Sequence, residues 1–216
     1  MFPNTSSPPA IKICGITQEQ QARAIISLGA DALGFNFWPL SKRYLPLPQA
    51  VRWLPELRSE TTRVAVLVNP DRALLDELMA GGLVDILQLH GDEPPAEVGR
   101  LLEAGARVIK ALQVRDRGSL DQIAGFPCET ILLDAYNPGL YGGVGATFPW
   151  ELAVIAQEEY PDKKILLSGG LTPANIRHAV QQTRPAAVDV ASGVESAPGV
   201  KDLALVQEFI EQVRSV

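Results

Sequence analysis

Short apolar, β-branched runs alternate with amphipathic stretches along the whole chain, and period and punctuation mark off eight such pairs. The predicted strands are Ile11–Cys14, Ala32–Phe37, Arg63–Val68, Ile86–Leu89, Arg107–Leu112, Thr130–Asp134, Ile165–Ser168 and Ala187–Val190. The predicted helices are Gln18–Leu28, Leu47–Leu57, Asp71–Gly81, Pro95–Ala104, Ser119–Ala124, Pro149–Glu159, Pro173–Thr183 and Asp202–Val213. Thr17, Thr172 and Asp202 suit N-caps, Pro149 and Pro173 a first helical turn, and Gly29, Gly81 and Gly105 the helix C-termini.

Runs such as Val64–Val68 and Ile131–Leu133 are apolar at successive positions, as in a parallel sheet covered on both faces. Eight βα units can close into a barrel or form a doubly wound open sheet. The unbroken period and the count of eight favour an α/β fold of the (β/α)8, or TIM-barrel, type. Residues 11–216 then form one barrel domain, preceded by a disordered tail over residues 1–10. Cys14, Asn36, Asn69, His90, Lys110, Asp134, Ser168 and Asp189 fall at or just past predicted strand C-termini, the side on which such barrels build their sites. The strand starts carry no comparable cluster.

Composition then excludes whole classes of function. A net charge of −6 supplies no basic stripe for a nucleic acid. No apolar run is long enough for a membrane span, and two cysteines are too few for a disulfide scaffold, which together place the chain in the cytoplasm. Two histidines without ligand-spaced neighbours argue against a metal. An acidic chain that binds an anion must concentrate N–H groups and a few cations at the site, against its own average field.

Three glycine-bearing segments do this in the last three βα loops: Gly142-Gly143-Val144-Gly145, Ser168-Gly169-Gly170-Leu171 and Ala191-Ser192-Gly193. Glycine lets successive N–H groups converge on a phosphate, and loops seven and eight with a short extra helix form the recurrent phosphate site of the barrel. Residues Ser192 to Gly199 leave room for that helix. Phosphate contacts are therefore expected at Gly142, Gly143, Gly145, Gly169, Gly170, Ser192 and Gly193.

Cys14 ends the first strand in Lys-Ile-Cys-Gly-Ile-Thr. A buried cysteine serves equally well as a small inert hydrophobe. Used as a base, it needs a nearby positive charge such as Lys12 to favour its thiolate. Cys128 precedes the sixth strand at the other barrel end and reads as inert. Asp134 ends that strand and could cap a loop or, desolvated beside an anion, donate a proton. Arg43, in an aromatic-rich loop, could take a carboxylate in a bidentate pair. His90 could orient polar groups at the mouth, and Asp189 could bind a substrate amine or hydroxyl.

Taken in order, these motifs resemble the phosphoribosylanthranilate isomerase family of tryptophan biosynthesis. The resemblance runs from Lys12 to about Asp202, through Gly-Phe-Asn-Phe at 34–37, Ser-Lys-Arg-Tyr at 41–44, Val-Asn-Pro at 68–70 and Gln-Leu-His-Gly at 88–91. It continues through Leu-Leu-Asp at 132–134, the glycine loops, and Asp-Val-Ala-Ser-Gly-Val-Glu at 189–195. Val144, Pro149 and Ala191 stand where the family commonly has Thr, Asp and Ser. The resemblance implies an Amadori rearrangement of a small phosphorylated substrate, without metal or cofactor, by a monomer or homodimer. It assigns Asp134 as general acid, Cys14 as general base, Arg43 to the anthranilate carboxylate, and His90 and Asp189 to the site lining. A non-catalytic phosphosugar-binding barrel remains the alternative.

Overall fold

A computed structural model describes residues 8–136 and 147–216. Eight parallel strands close into a barrel in sequence order, β1 (Ala10–Cys14), β2 (Ala32–Asn36), β3 (Thr62–Leu67), β4 (Ile86–Leu89), β5 (Val108–Val114), β6 (Thr130–Ala135), β7 (Lys164–Leu167) and β8 (Ala187–Val190). The seam is the β1–β8 pairing, in which Lys12 lies opposite Asp189. The α-helices are α1 (Glu19–Ser27), α2 (Leu47–Ala50), α3 (Arg72–Ala80), α4 (Pro95–Glu103), α5 (Glu151–Glu159), α6 (Pro173–Thr183) and α7 (Leu203–Arg214). None of the described helices is long and apolar enough to cross a membrane.

The core has two parts, as the period-2 alternation of a closed sheet requires. Ala10, Ala32, Val64, Ile86, Ile109, Leu132, Leu166 and Ala187, one from each strand, plug the barrel interior. Their strand neighbours, such as Ile11, Ile13, Leu87, Leu89, Ile131 and Leu133, face the helix layer.

Five local expectations are corrected. The second helix is not continuous: α2 stops at Ala50 and a 3-10 turn follows over Leu54–Leu57. Pro55 has no N–H to give the Val51 carbonyl and would clash with it in a longer helix. The fifth segment winds as 3-10 turns over Arg117–Gly125, capped by Asp116, whose side chain accepts from the Ser119 N–H at 3.1 Å. Thr17 caps nothing; its hydroxyl donates to the Gly199 carbonyl at 3.0 Å, and Pro149 lies before Trp150, the N-cap of α5. Ser192–Gly199 holds only a 3-10 turn at Ser192–Val194, followed by a hairpin of β9 (Glu195–Ala197) and β10 (Val200–Lys201). The Pro198-Gly199 pair explains it, since Gly199 has φ +80°, a turn conformation that a helix cannot use.

The strand starts are also less bare than expected. Asp31, ahead of β2, accepts from the Ile11 N–H at 2.7 Å, and Asp85, ahead of β4, accepts from the Arg63 N–H at 2.8 Å. Each carboxylate satisfies the N–H of a neighbouring strand and binds an arginine, Arg214 for Asp31 and the buried Arg63 for Asp85. Partial burial would raise the Asp85 pKa, but the Arg63 hydrogen bonds outweigh it and hold it below the ordinary value. A depressed carboxylate stabilises the fold above its unfolded pKa of about 3.9 and loses that contribution as pH falls through the folded value. Asp85→Asn is therefore expected to cost about 3 kcal/mol at pH 7, by leaving the Arg63 charge unpaired. Urea unfolding should show the gap between wild type and variant narrowing below about pH 4.

Candidate active site

The alternation that fills the barrel bottom with apolar groups also lifts polar ones to its mouth. On β1 the inward series is Ala10, Lys12, Cys14; on β4 and its end it is Ile86, Gln88, His90; on β6 it is Leu132, Asp134; on β8 it is Ala187, Asp189. Lys110 falls on the other parity. Its ammonium lies outside the barrel wall, donating to the Gly91 carbonyl at 2.6 Å and to Glu93 at 2.7 Å. Glu93 in turn accepts from the Asn69 N–H at 2.8 Å, where Asn69 has φ +46°. This pair shapes the loop that follows β4 and stays away from the site interior.

The first polar cluster spans the barrel seam. Lys12, fully buried, donates to Asp189 at 2.8 Å, and its ammonium lies beside the Cys14 thiol over Gly34. Burial works against the Lys12 ammonium, but Asp189 and Cys14 outweigh it and hold its pKa above the ordinary value. Burial pushes the Cys14 thiol up; Lys12 pulls it down, Asp189 pushes it up and Lys201 pulls it down, and the balance lies above the ordinary thiol value. Gly34 on β2 makes the arrangement fit: a Cβ there would sit 2.7 Å from Cys14 Sγ and 2.9 Å from Lys12 Nζ. Asp189 is 5% exposed and already engaged by Lys12.

The second cluster belongs to β4 and β6. Asp134, 4% exposed, accepts from the Ala135 N–H at 2.9 Å through Oδ1, and its Oδ2 lies 3.2 Å from His90 Nε2. His90 Nδ1 lies 3.2 Å from the Nε2 amide of Gln88. Gly169, at φ +84°, lets the β7 loop lie on this carboxylate, since a Cβ there would be 2.7 Å from the Ala135 nitrogen and 3.1 Å from Asp134 Oδ1. A cavity of about 480 Å³ opens beside His90, with Lys110, Arg115, Phe126 and Tyr136 in its wall.

The third cluster ties the β2 loop to the β9–β10 hairpin. Arg43 makes a bidentate pair with Glu195, Nε to Oε1 at 2.8 Å and Nη2 to Oε2 at 2.6 Å. Lys201 donates to the same Glu195 Oε1 at 2.7 Å and to the Ala191 carbonyl at 3.0 Å. Burial opposes the Glu195 carboxylate, but Arg43 and Lys201 hold its pKa below the ordinary value. Burial lowers the Lys201 pKa despite Glu195. The bidentate edge of Arg43 thus faces a carboxylate of the chain itself.

At the phosphate end, Gly169 and Gly170 have φ +84° and +61°, and Asn175 ties their loop to α6, donating to the Gly170 carbonyl at 2.9 Å. Gly193, between Ser192 and Val194 in the 3-10 turn, is the close contact between the loops after β7 and β8, because a Cβ there would overlap the Leu171 carbonyl. Gly142, Gly143 and Gly145 lie outside the described residues.

The fold recurs in known proteins. The family described as N-(5'phosphoribosyl)anthranilate (PRA) isomerase matches residues 11–212. The chain belongs to this family. An N-(5'-phosphoribosyl)anthranilate isomerase of Geobacter metallireducens is 47% identical over 205 residues, 95% of this chain and 98% of its own length. The phosphoribosyl anthranilate isomerase of Thermotoga maritima superposes with a TM-score of 0.85 at 37% identity, covering 96% of this chain and all of that one. A phosphoribosyl anthranilate isomerase crystallised with reduced 1-(o-carboxyphenylamino)-1-deoxyribulose 5-phosphate superposes with a TM-score of 0.81 at 34% identity and covers the same share of both chains. Among the described residues of this PRA isomerase family member, no group of three or more His, Cys, Asp and Glu could hold a metal ion.

Gln88, Gly34, Glu195 and Lys201 were not singled out from the sequence. Gln88 was legible as the inward neighbour of His90 two positions away on one strand. The other three owe their place to contacts between segments far apart in the chain. The raised thiol has a direct consequence for reactivity. With Cys128→Ala as background, alkylation of Cys14 by iodoacetamide should rise with pH and level off above the ordinary thiol range. Lys12→Met should slow it at pH 8 by about tenfold or more, because only the weaker pull of Lys201 then opposes Asp189 at the thiol. An unchanged rate in Lys12→Met would remove Lys12 from the thiol's environment.

Proposed function

We propose that the chain converts N-(5-phosphoribosyl)anthranilate into 1-(2-carboxyphenylamino)-1-deoxyribulose 5-phosphate, the Amadori step of tryptophan biosynthesis. The observation that carries the reading is the pairing, at one barrel mouth, of a thiol on β1 that lies beside an ammonium with a buried carboxyl on β6, in a chain of the PRA isomerase family. Asp134 protonates the furanose ring oxygen, the C1–oxygen bond breaks, and the anthranilate nitrogen supplies the electrons for an iminium. The Cys14 thiolate then takes the C2 proton, the C–H electrons form the C1–C2 double bond, and the iminium π pair returns to the anthranilate nitrogen to give the enolamine. Ketonisation returns a proton to C1 and leaves a carbonyl at C2.

The remaining groups bind. Gly169, Gly170, Ser192 and Gly193, with Gly142, Gly143 and Gly145, hold the phosphate through backbone N–H groups. Arg43 holds the anthranilate carboxylate beside Glu195, which fixes the direction of the guanidinium. His90 lines the site against Asp134, and Asp189 acts on it from below through Lys12. A thiol favoured in the resting site gains from this division of labour, because the substrate itself brings the iminium that makes C2 acidic.

Fluorescence decay of phosphoribosylanthranilate made in situ tests the roles. Cys14→Ser and Asp134→Asn should each lose about 10²- to 10⁴-fold in kcat while still binding the reduced product analogue. Undiminished turnover in Cys14→Ser would sink the base assignment, and a wild type without turnover would favour the phosphosugar-binding alternative. Glu195→Gln should act differently, raising KM several-fold with a smaller loss in kcat, because it loosens Arg43 and leaves the proton-transfer groups alone.

A further inference from the structure

The Gln88 side chain is fully buried in the barrel interior, and only its nitrogen end has a partner. Nε2 lies 3.2 Å from His90 Nδ1, while Oε1 is buried without a hydrogen-bond partner among the described residues. An amide nitrogen can only donate, so Nδ1 is the acceptor and the proton of a neutral His90 resides on Nε2. That N–H points at Asp134 Oδ2, 3.2 Å away, while the Ala135 N–H occupies Oδ1. Both oxygens of Asp134 therefore accept, which is the arrangement of a carboxylate with no proton to give.

Add one proton to the pair and the constraint reverses. Whether the charge sits as imidazolium beside carboxylate or as neutral imidazole beside carboxylic acid, Nδ1 must then carry hydrogen and needs an acceptor. Turning the Gln88 amide by half a turn about its terminal bond presents the partnerless Oε1 to Nδ1, with His90 and Asp134 left where they are. The Nε2 proton can then pass to Oδ2, so that Asp134 holds the proton and His90 Nε2 accepts from it.

We propose that Gln88 is a positioning residue whose amide orientation sets the His90 tautomer and, through it, whether Asp134 carries a proton. The inference rests on the acid role given to Asp134 above only for its kinetic consequence. A buried residue with a single hydrogen-bonding character would satisfy one of the two protonation states; an amide satisfies both. The charged groups around the pair are few. Asp92, Arg115 and Tyr136, with Glu93 and Lys110 paired with each other, line the cavity that His90 shares, and β1 and β8 contribute Lys12, Cys14 and Asp189.

Nitrogen-15 NMR of the histidine ring and of the Gln88 side-chain amide tests this across a pH titration of the ligand-free protein. In the wild type, Nδ1 should go from bare to protonated on acidification, and the Gln88 amide signal should move with the same midpoint. Gln88→Glu keeps an acceptor for Nδ1 and loses the donor, so it should raise that midpoint, whereas Gln88→Met loses both and should move it less than Gln88→Glu does. Gln88→Met should also cut kcat about tenfold while binding of the reduced product analogue stays within twofold. A wild-type Nδ1 that stays bare through the midpoint, or a midpoint unmoved in both variants, overturns the proposal, and the wild-type arm stands even if a variant fails to fold. Shifted midpoints with unchanged kcat would keep the switch and remove Asp134 from the role of acid.

Discussion

The ion pair between Lys12 and Asp189 lies across the seam where the first strand meets the last, and the two residues are register partners there. A buried pair of this kind is neutral for stability at best when weighed against apolar replacements, but removing either partner leaves a charge stranded in the barrel. It is therefore a constraint on which side chains can sit around it. Gly34 must lack a side chain to make room, and Cys14, two residues up the same strand, lies beside the ammonium that does most to favour a thiolate there.

Around that seam, the site is organised as three polar clusters, with Lys201 of the third also acting on the Cys14 thiol of the first. Lys12 answers to Asp189 and Cys14, Asp134 to His90 and Gln88, and Arg43 to Glu195. Each cluster comes from different strands or loops of one mouth, so closure of the barrel assembles all of them. In the proposed function the anion problem of an acidic chain falls to backbone N–H groups near Gly169, Gly170 and Gly193, because the buried cations Lys12, Arg63, Lys110 and Lys201 are held by specific carboxylates.

Much of this was legible in the residue pattern because it follows from periodicity. The eight strands lie within a residue or two of the apolar runs, and His90, Asp134 and Asp189 stand at strand ends by simple counting. What escaped depends on contacts between distant segments. The carboxylate that takes the fork of Arg43 is Glu195, far along the chain, on a hairpin read as a short helix until the Pro198-Gly199 turn is taken into account. The arginine–aspartate anchors at the strand starts escaped because a carboxylate ahead of a strand looks like ordinary loop polarity until its neighbour's N–H is in view. Lys110 was read as a mouth residue because strand ends were counted without their parity.

In the proposed reaction Cys14 takes the C2 proton only as a thiolate, which the Lys12 ammonium favours. The most direct measurement is the primary isotope effect on kcat/KM for substrate deuterated at C2, compared between wild type and Lys12→Met across pH. The account predicts a larger effect in Lys12→Met near neutral pH, where thiolate is scarce and proton abstraction limits the rate, converging on the wild-type value as the thiol ionises at high pH. Equal isotope effects in the two proteins at every pH would contradict it.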